Sequence, residues 1–343
     1  MLFCTLCVSV MLVSCAPSKA TLDMTMNQRI LWPGVPEQPR IQYLWSLSRV
    51  AGGEAGALME AIAGEDDTFS YGSSGPRYSD FLVNPHGVFV SEKNILYVTD
   101  TGAGRVSVIN LDTLESFNIL GDRGFMLISP IAVAADLEGN IYVTDSELRR
   151  VVVFTGKGKF IRFLEGAFLR PTGLAIDNHN ELIYVADTWA HRVHVYSLEG
   201  KRLSSIGGGP KGDKSLNYPT HISLDAHGNL HIADTLNFKV KVFSPDGDLM
   251  TSFGLAGDSY GSFDKIKGIA VDSDGNIYVT DSAQDLVKIF DRQGRLLLFF
   301  GGKGSFYGQL LHPAGIFIDS ADRIFVADML NRRVQAFQFL GGG

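Results

Sequence analysis

The chain has 343 residues, 45% of them hydrophobic and 20% charged, an ordinary globular balance with ample length for a large core. Lys and Arg number 30 against 37 Asp and Glu, and the resulting net charge of −7 argues against the phosphate backbone of nucleic acid as a partner. All three cysteines (Cys4, Cys7 and Cys15) fall in the first fifteen residues, so no disulfide framework or thiol chemistry is expected in the body of the protein.

Residues 2–13 form an apolar run far short of the ~20 residues that span a bilayer, and they suit a secretory signal segment better. Leu12-Val13-Ser14-Cys15 follows directly, so residues 1–14 are expected to be a signal peptide. Cys4-Thr5-Leu6-Cys7 is not a haem attachment site, because Val8 stands where His is required. Residues 15–39, with Pro33, Pro36 and Pro39, are expected to be an extended tether, against which Trp32 is free to pack on the body. Arg40 to Leu47 places large apolar residues at 41, 43, 45 and 47, a strand with one buried face and no partner next to it in sequence. Residues 49–80 read as an irregular insert, with a short helix expected within 53–64 and a Gly/Ser-rich loop at 71–76.

From Phe81 onward one unit repeats. Its clearest copy is Gly268-Ile269-Ala270-Val271-Asp272-Ser273-Asp274-Gly275-Asn276-Ile277-Tyr278-Val279-Thr280-Asp281, two short apolar runs joined by an Asp/Gly turn and closed by Asp. The closing residues Asp100, Asp145, Asp187, Asp234, Asp281 and Asp328 are spaced by 45, 42, 47, 47 and 47 residues. A period of roughly 40–50 residues signals a propeller or similar array. A third apolar run follows each Asp, for example Lys239 to Phe243, and a fourth follows a Gly-containing turn, as in Leu249 to Phe253. Each unit is therefore a four-stranded antiparallel blade. The sixth unit lacks its fourth strand, and the lone strand at 41–47 can supply it. The expected fold is an all-β, six-bladed β-propeller over residues 40–343, closed by that N-terminal strand.

Val326-Ala327-Asp328 followed by Asn331-Arg332-Arg333-Val334-Gln335-Ala336-Phe337, with Gly301-Gly302-Lys303-Gly304 and His312-Pro313-Ala314-Gly315 before it, resembles the NHL repeat. The resemblance covers about residues 81–340. Repeat five departs from it with Ile266-Lys267-Gly268 in the Pro slot. Leu12 to Cys15 resembles a lipobox, and the Trp-Pro and Pro-Glu-Gln-Pro tether adds a similarity to bacterial NHL-repeat lipoproteins. That similarity implies lipidation of Cys15 and a cell-envelope location. The residue after the Cys is Ala16, which points to the outer membrane. Some such proteins lie beside secreted multihaem cytochromes, which makes a cytochrome system one candidate partner.

The recurrent strand-end Asp residues are expected to serve the fold, accepting loop N–H bonds and pairing with the Arg or Lys that opens the third strand. Asp272 to Asn276 resembles the start of a calcium loop, but Ala283 stands at its twelfth position, and Asp-Gly-Asn also makes a good hairpin turn. His86, His221 and His312 lie near the start of the first strand, at the channel mouth, where propeller lyases similar to this fold hold zinc with three histidines. Their differing registers favour ordinary polar residues over a metal site, and no cofactor is expected. No Gly-x-Ser-x-Gly is present, and the glycine-rich 207–212 has no helix after it to cradle phosphate.

What remains is surface recognition. The second-to-third-strand loops and the crossovers between blades share one face, expected to carry Arg149, Trp189, His191, Asn237, Phe238, Asn331 and Arg332, with Tyr260, Phe306 and Tyr307 from the crossovers. Aromatic and Arg residues gathered on one face suit a non-catalytic scaffold that binds an envelope or secreted protein. The competing expectations are a metal-dependent lyase or lactonase at the channel mouth, and a small-ligand or glycan binder.

Overall fold

The computed structural model describes residues 19–23, 29–34, 37–50, 80–208 and 212–341. Six sheets stand around a central channel, each with its strands in the order a, b, c, d from the channel outward. The innermost strands are Pro85–Val90, Pro130–Ala135, Pro171–Asp177, Pro219–Leu224, Ile266–Val271 and Pro313–Ile318. In the fifth blade the remaining strands are Ile277–Asp281, Leu286–Phe290 and Leu296–Gly301, all antiparallel. Ile277 to Asp281 is buried at every position rather than at alternate ones. A blade packs against a neighbour on each side, so both faces of its middle strands are core.

Two local features hold neighbouring blades together. The third position of strand a is Gly in four blades, where the inner strands converge. A Cβ on Gly87 would lie 2.4 Å from the Ile131 carbonyl oxygen, and one on Gly315 would lie 2.5 Å from that of His86. Threonine hydroxyls then cross from one blade to the next. Thr99 Oγ1 donates to Ile131 O at 2.9 Å, and Thr144 and Thr280 donate to Thr172 O and Ala314 O, both at 2.6 Å. In the third and fourth blades the hydroxyl moves into the loop, where Thr188 donates to Pro219 O and Thr235 to Ile266 O. Each such bond contributes about 1 kcal/mol net.

The ring closes as the pattern requires. Ile41–Arg49 pairs antiparallel with Arg333–Phe339, Leu47 opposite Val334 and Ile41 opposite Phe339. This removes the open edge that a sixth blade of three strands would leave. The segment read as a free tether is partly docked instead. Thr21–Asp23 and Leu31–Trp32 pair with the outer edge of the closing strand. Trp32 packs with ring centroids 5.8 Å from both Phe300 and Phe337, and Ala20 N–H donates to Leu114 O at 2.8 Å. Leu22, Ile30 and Trp32 pack against the core there, so docking removes apolar surface from water that a free spacer would expose.

The insert leaves and returns at one place. Val50 N–H donates to Asp80 O at 2.7 Å, and Arg49 bridges to Phe81. Val50 and Asp80 thus flank the point where the chain passes from the closing strand of the sixth blade to the first blade. The helix expected within 53–64, the loop at 71–76, the signal segment, Cys15 and residues 209–211 of the glycine-rich 207–212 lie outside the described residues.

Candidate functional site: the loop face

The loop face is held from beneath by the strand-end carboxylates. Asp187 accepts N–H bonds from Leu169 and Arg170, both at 2.8 Å, and Asp281 does the same for Asp264 and Lys265 at 3.0 and 2.9 Å. The donors are chiefly in the crossover entering the same blade, 16 to 18 residues back, rather than in the adjacent loop alone. The side-chain partner also differs from expectation. Arg105 and Arg333, which open strand c, do pair with Asp100 and Asp328. In the middle blades the partner is the third residue of that strand: His194 with Asp187, Lys241 with Asp234 and Lys288 with Asp281. Residues one and three of a strand share a face, so either can reach the carboxylate. Burial pushes the Asp234 and Asp328 carboxyls upward, against the lowering pull of their hydrogen bonds and cations.

Above this layer lies a crown of apolar side chains. Of 16 large hydrophobic residues exposed among the described residues, ten are on the loop face: Phe81, Ile128, Leu169, Trp189, Tyr218, Leu236, Leu255, Tyr260, Phe306 and Leu330. Leu255 is 75% and Phe306 79% exposed. Trp189, Leu236 and Leu330 occupy one loop slot in three blades and are 46–50% exposed. Arg149 and Arg170 flank the Trp189 ring, their guanidinium carbons 6.0 and 5.6 Å from its centroid.

Several residues expected on this face are used internally. Asn237 donates to Asp234, and Asn331 donates to Asp328 and to Gly304 O. Tyr307 hydrogen-bonds Asp23 and packs on Tyr43 at 5.7 Å. Phe238 packs against the core between the fourth and fifth blades. Tyr260 stacks on Phe299 at 4.1 Å with its outer face open. His191 meets Tyr218 edge-on at 4.8 Å. Arg149, His191, Phe238 and Arg332 share a left-handed backbone, φ 54–55°, at the end of the loop. Leu169, Ile128 and Phe81 stand two to four places before the strand-a Pro, a position the sequence pattern alone did not mark as exposed, and Leu255 lies eleven residues before Ile266 in the fifth blade's longer crossover.

The three histidines do not converge. His312 is turned toward Asp285, with Nδ1 3.7 Å from the carboxylate, and its side chain is 45% exposed. His86 and His221 do meet at the channel mouth, in the company of Lys267 and Arg170. Burial, and then Lys267, His221 and Arg170, lower the His86 imidazole to about 3. Burial lowers His221 to about 4, and Ile269 N–H donates to its Nδ1 at 3.3 Å. Two neutral imidazoles beside two fixed cations repel a divalent metal more than they recruit one. The calcium-like Asp272 is occupied by Asn276 N–H, Asn276 Nδ2 and the Tyr278 hydroxyl at 2.8, 2.8 and 3.0 Å. Asp136 and Asp225 repeat this turn with Asn140 and Tyr142, and with Asn229 and His231.

Residues 92–206 match a family described as a 6-bladed beta-propeller, and residues 255–280 match a beta-propeller repeat. The human NHL repeat-containing protein 2 is 29% identical over 156 residues, 44% of this chain and 17% of that protein. The chain fits an NHL-repeat propeller. The protein brain tumor of Drosophila melanogaster is 32% identical over 89 residues, 26% of this chain and 8% of that protein. The chain thus spans less than a fifth of these curated relatives. Virginiamycin B lyase from Staphylococcus aureus shares the fold with a TM-score of 0.57 and 17% identity, over 75% of this chain and 96% of that one. An auxiliary nutrient binding protein from Bacteroides thetaiotaomicron does so with a TM-score of 0.60 and 16% identity, over 77% and 71% of the two chains.

Proposed function

We propose that this NHL propeller is a non-catalytic scaffold that binds another protein through its loop face. The observation that carries the reading is the crown: ten exposed apolar side chains, with Arg149 and Arg170 set against Trp189, gathered on one face. Soluble surfaces rarely gather apolar side chains in this way without a partner to cover them. The test is crosslinking capture with wild type, a Trp189→Ser/Leu236→Ser/Leu330→Ser variant and a Leu137→Ser control on the opposite face. A partner recovered by wild type and by the control, and lost from the triple variant, supports the reading. Equal recovery by all three overturns it.

The same reading takes Cys15 as the lipidated residue of an envelope protein, with the membrane reached through that anchor and the partner an envelope or secreted protein. Lys19 bridges to Glu115 at the outer rim, between the last blade and the first. Cys15 is only four residues upstream, a reach of at most about 14 Å. Such an anchor holds the ring by its rim, close to the bilayer, and leaves the loop face uncovered. Cys15→Ser is expected to move the protein from the membrane to the soluble fraction, and retention in the membrane would refute the anchor.

A further inference from the structure

We propose that the mouth of the central channel binds a small organic carboxylate, its charged head held by Lys267 and Arg170 and its apolar tail lying in the channel. The site shares Arg170 with the crown, where that residue flanks Trp189, but it lies at the channel mouth and does not depend on partner binding on the loop face.

The geometry follows from the register of the inner strands. Their second residues form a ring: His86, Ile131, Thr172, Thr220, Lys267 and Ala314. The third residues form the next ring down, four glycines with Ala132 and His221. Neither ring holds a carboxylate, in a chain of net charge −7. Arg170 stands one residue before strand a of its blade, and Lys265 two residues before Lys267. Among the described residues, none of Arg170, Lys265 and Lys267 has an ion-pair partner. The influences on the Lys267 ammonium are burial, then Lys265 and Arg170, and all of them disfavour its charge. A cluster of like charges with no counterion is destabilising unless an anion joins it.

Neutral hydrogen-bonding groups complete the head site. Nδ1 of His86 is buried without a hydrogen-bond partner among the described residues. Nδ1 of His221 accepts from Ile269 N–H at 3.3 Å, so its neutral ring carries the proton on Nε2 and can donate there. Below His221 the channel holds a cavity of about 160 Å³ lined by Val88, Val133, Ile222, Ile269 and Ile316 among others. A cavity of roughly 150 Å³ with aliphatic walls is enough for a benzene ring. An inorganic anion would gain nothing from such walls, whereas a carboxylate on an apolar body uses both halves of the site.

The experiment is a thermal-shift and calorimetric titration of the whole protein at low ionic strength with benzoate, with neutral benzamide and with inorganic phosphate. Benzoate is expected to saturate and to bind roughly tenfold or more tightly than either control. Lys267→Met and Arg170→Gln should each weaken benzoate roughly tenfold or more, while Lys157→Gln, on an exposed turn, leaves it unchanged. Because Lys267 is crowded by like charges, Lys267→Met should melt at the same temperature as wild type or higher without ligand. Absence of saturation, equal binding of benzamide or phosphate, unchanged benzoate affinity in Lys267→Met, or a lowered melting point for that variant would each overturn the site.

Discussion

The two faces of the ring are built by different means. On the loop face, carboxylates at the strand ends are buried and bind crossover N–H groups and a buried cation, as Asp281 does with Lys288. On the opposite face, turns are closed by short-range Asx bonds within the turn itself, such as Asp291 accepting from the N–H groups of Gln293 and Arg295. One face is organised from within and carries apolar residues outward. The other is self-contained turn by turn and mostly polar. The difference teaches that binding residues can stand exposed here because the support is moved below them.

The sharpest way to break this contrast is to remove one support from each face. Asp281→Ala leaves the Lys288 ammonium buried without its counter-charge and should cost about 3–5 kcal/mol in urea unfolding. Asp291→Ala, whose partner Arg295 is 77% exposed and stays hydrated without it, should cost at most about 1 kcal/mol. Equal losses would end the distinction between the faces. Next in size is Gly87→Ala. Its Cβ would press on Ile131 O, and a cost of about 1–3 kcal/mol is expected from forcing the inner strands apart. A neutral outcome would mean that the inner ring is looser than drawn.

Acid should act on the loop-face side of the channel. The unfolded imidazoles protonate near 6.5, whereas His221 resists to about 4 and His86 to about 3. The folded state therefore binds fewer protons, so its stability is full above pH 6.5 and drains as the pH falls through that window. Thermal melts between pH 7 and 4 should fall less steeply for His86→Gln/His221→Gln than for wild type. An identical slope would remove these rings from the acid response. Smallest in stability is Leu236→Ser/Leu330→Ser, expected to change unfolding by no more than about 0.5 kcal/mol. A larger loss would mean that the crown packs for the fold rather than for a partner.

The architecture was legible because strand-c residues and closing Asp residues recur in fixed order, and because one strand was missing at one end and spare at the other. The details at the loop face were less so. Whether Arg105 or Lys241 meets the carboxylate depends on two positions that point the same way, which a repeat pattern does not separate. Asn331 and Tyr307 read as surface residues because their partners, Gly304 O and Asp23, come from other loops and the far end of the chain. Trp189 is visible in the sequence as a departure from Leu236 and Leu330, which fill the same slot in other blades. Lys267 was visible only as a break in the repeat, and its meaning emerged when Arg170, His86 and His221 arrived beside it.

The closing strand has a consequence for how the molecule is made. Leu47 waits for Val334, 287 residues later in synthesis, before the circle can shut. Until the last blade emerges, a growing chain exposes an unpaired strand at either end, each a template for a neighbour's backbone. Completion is therefore a late event with a long-range contact at its heart, and slow assembly on the ribosome, rather than weakness once finished, is where this protein is most open to aggregation.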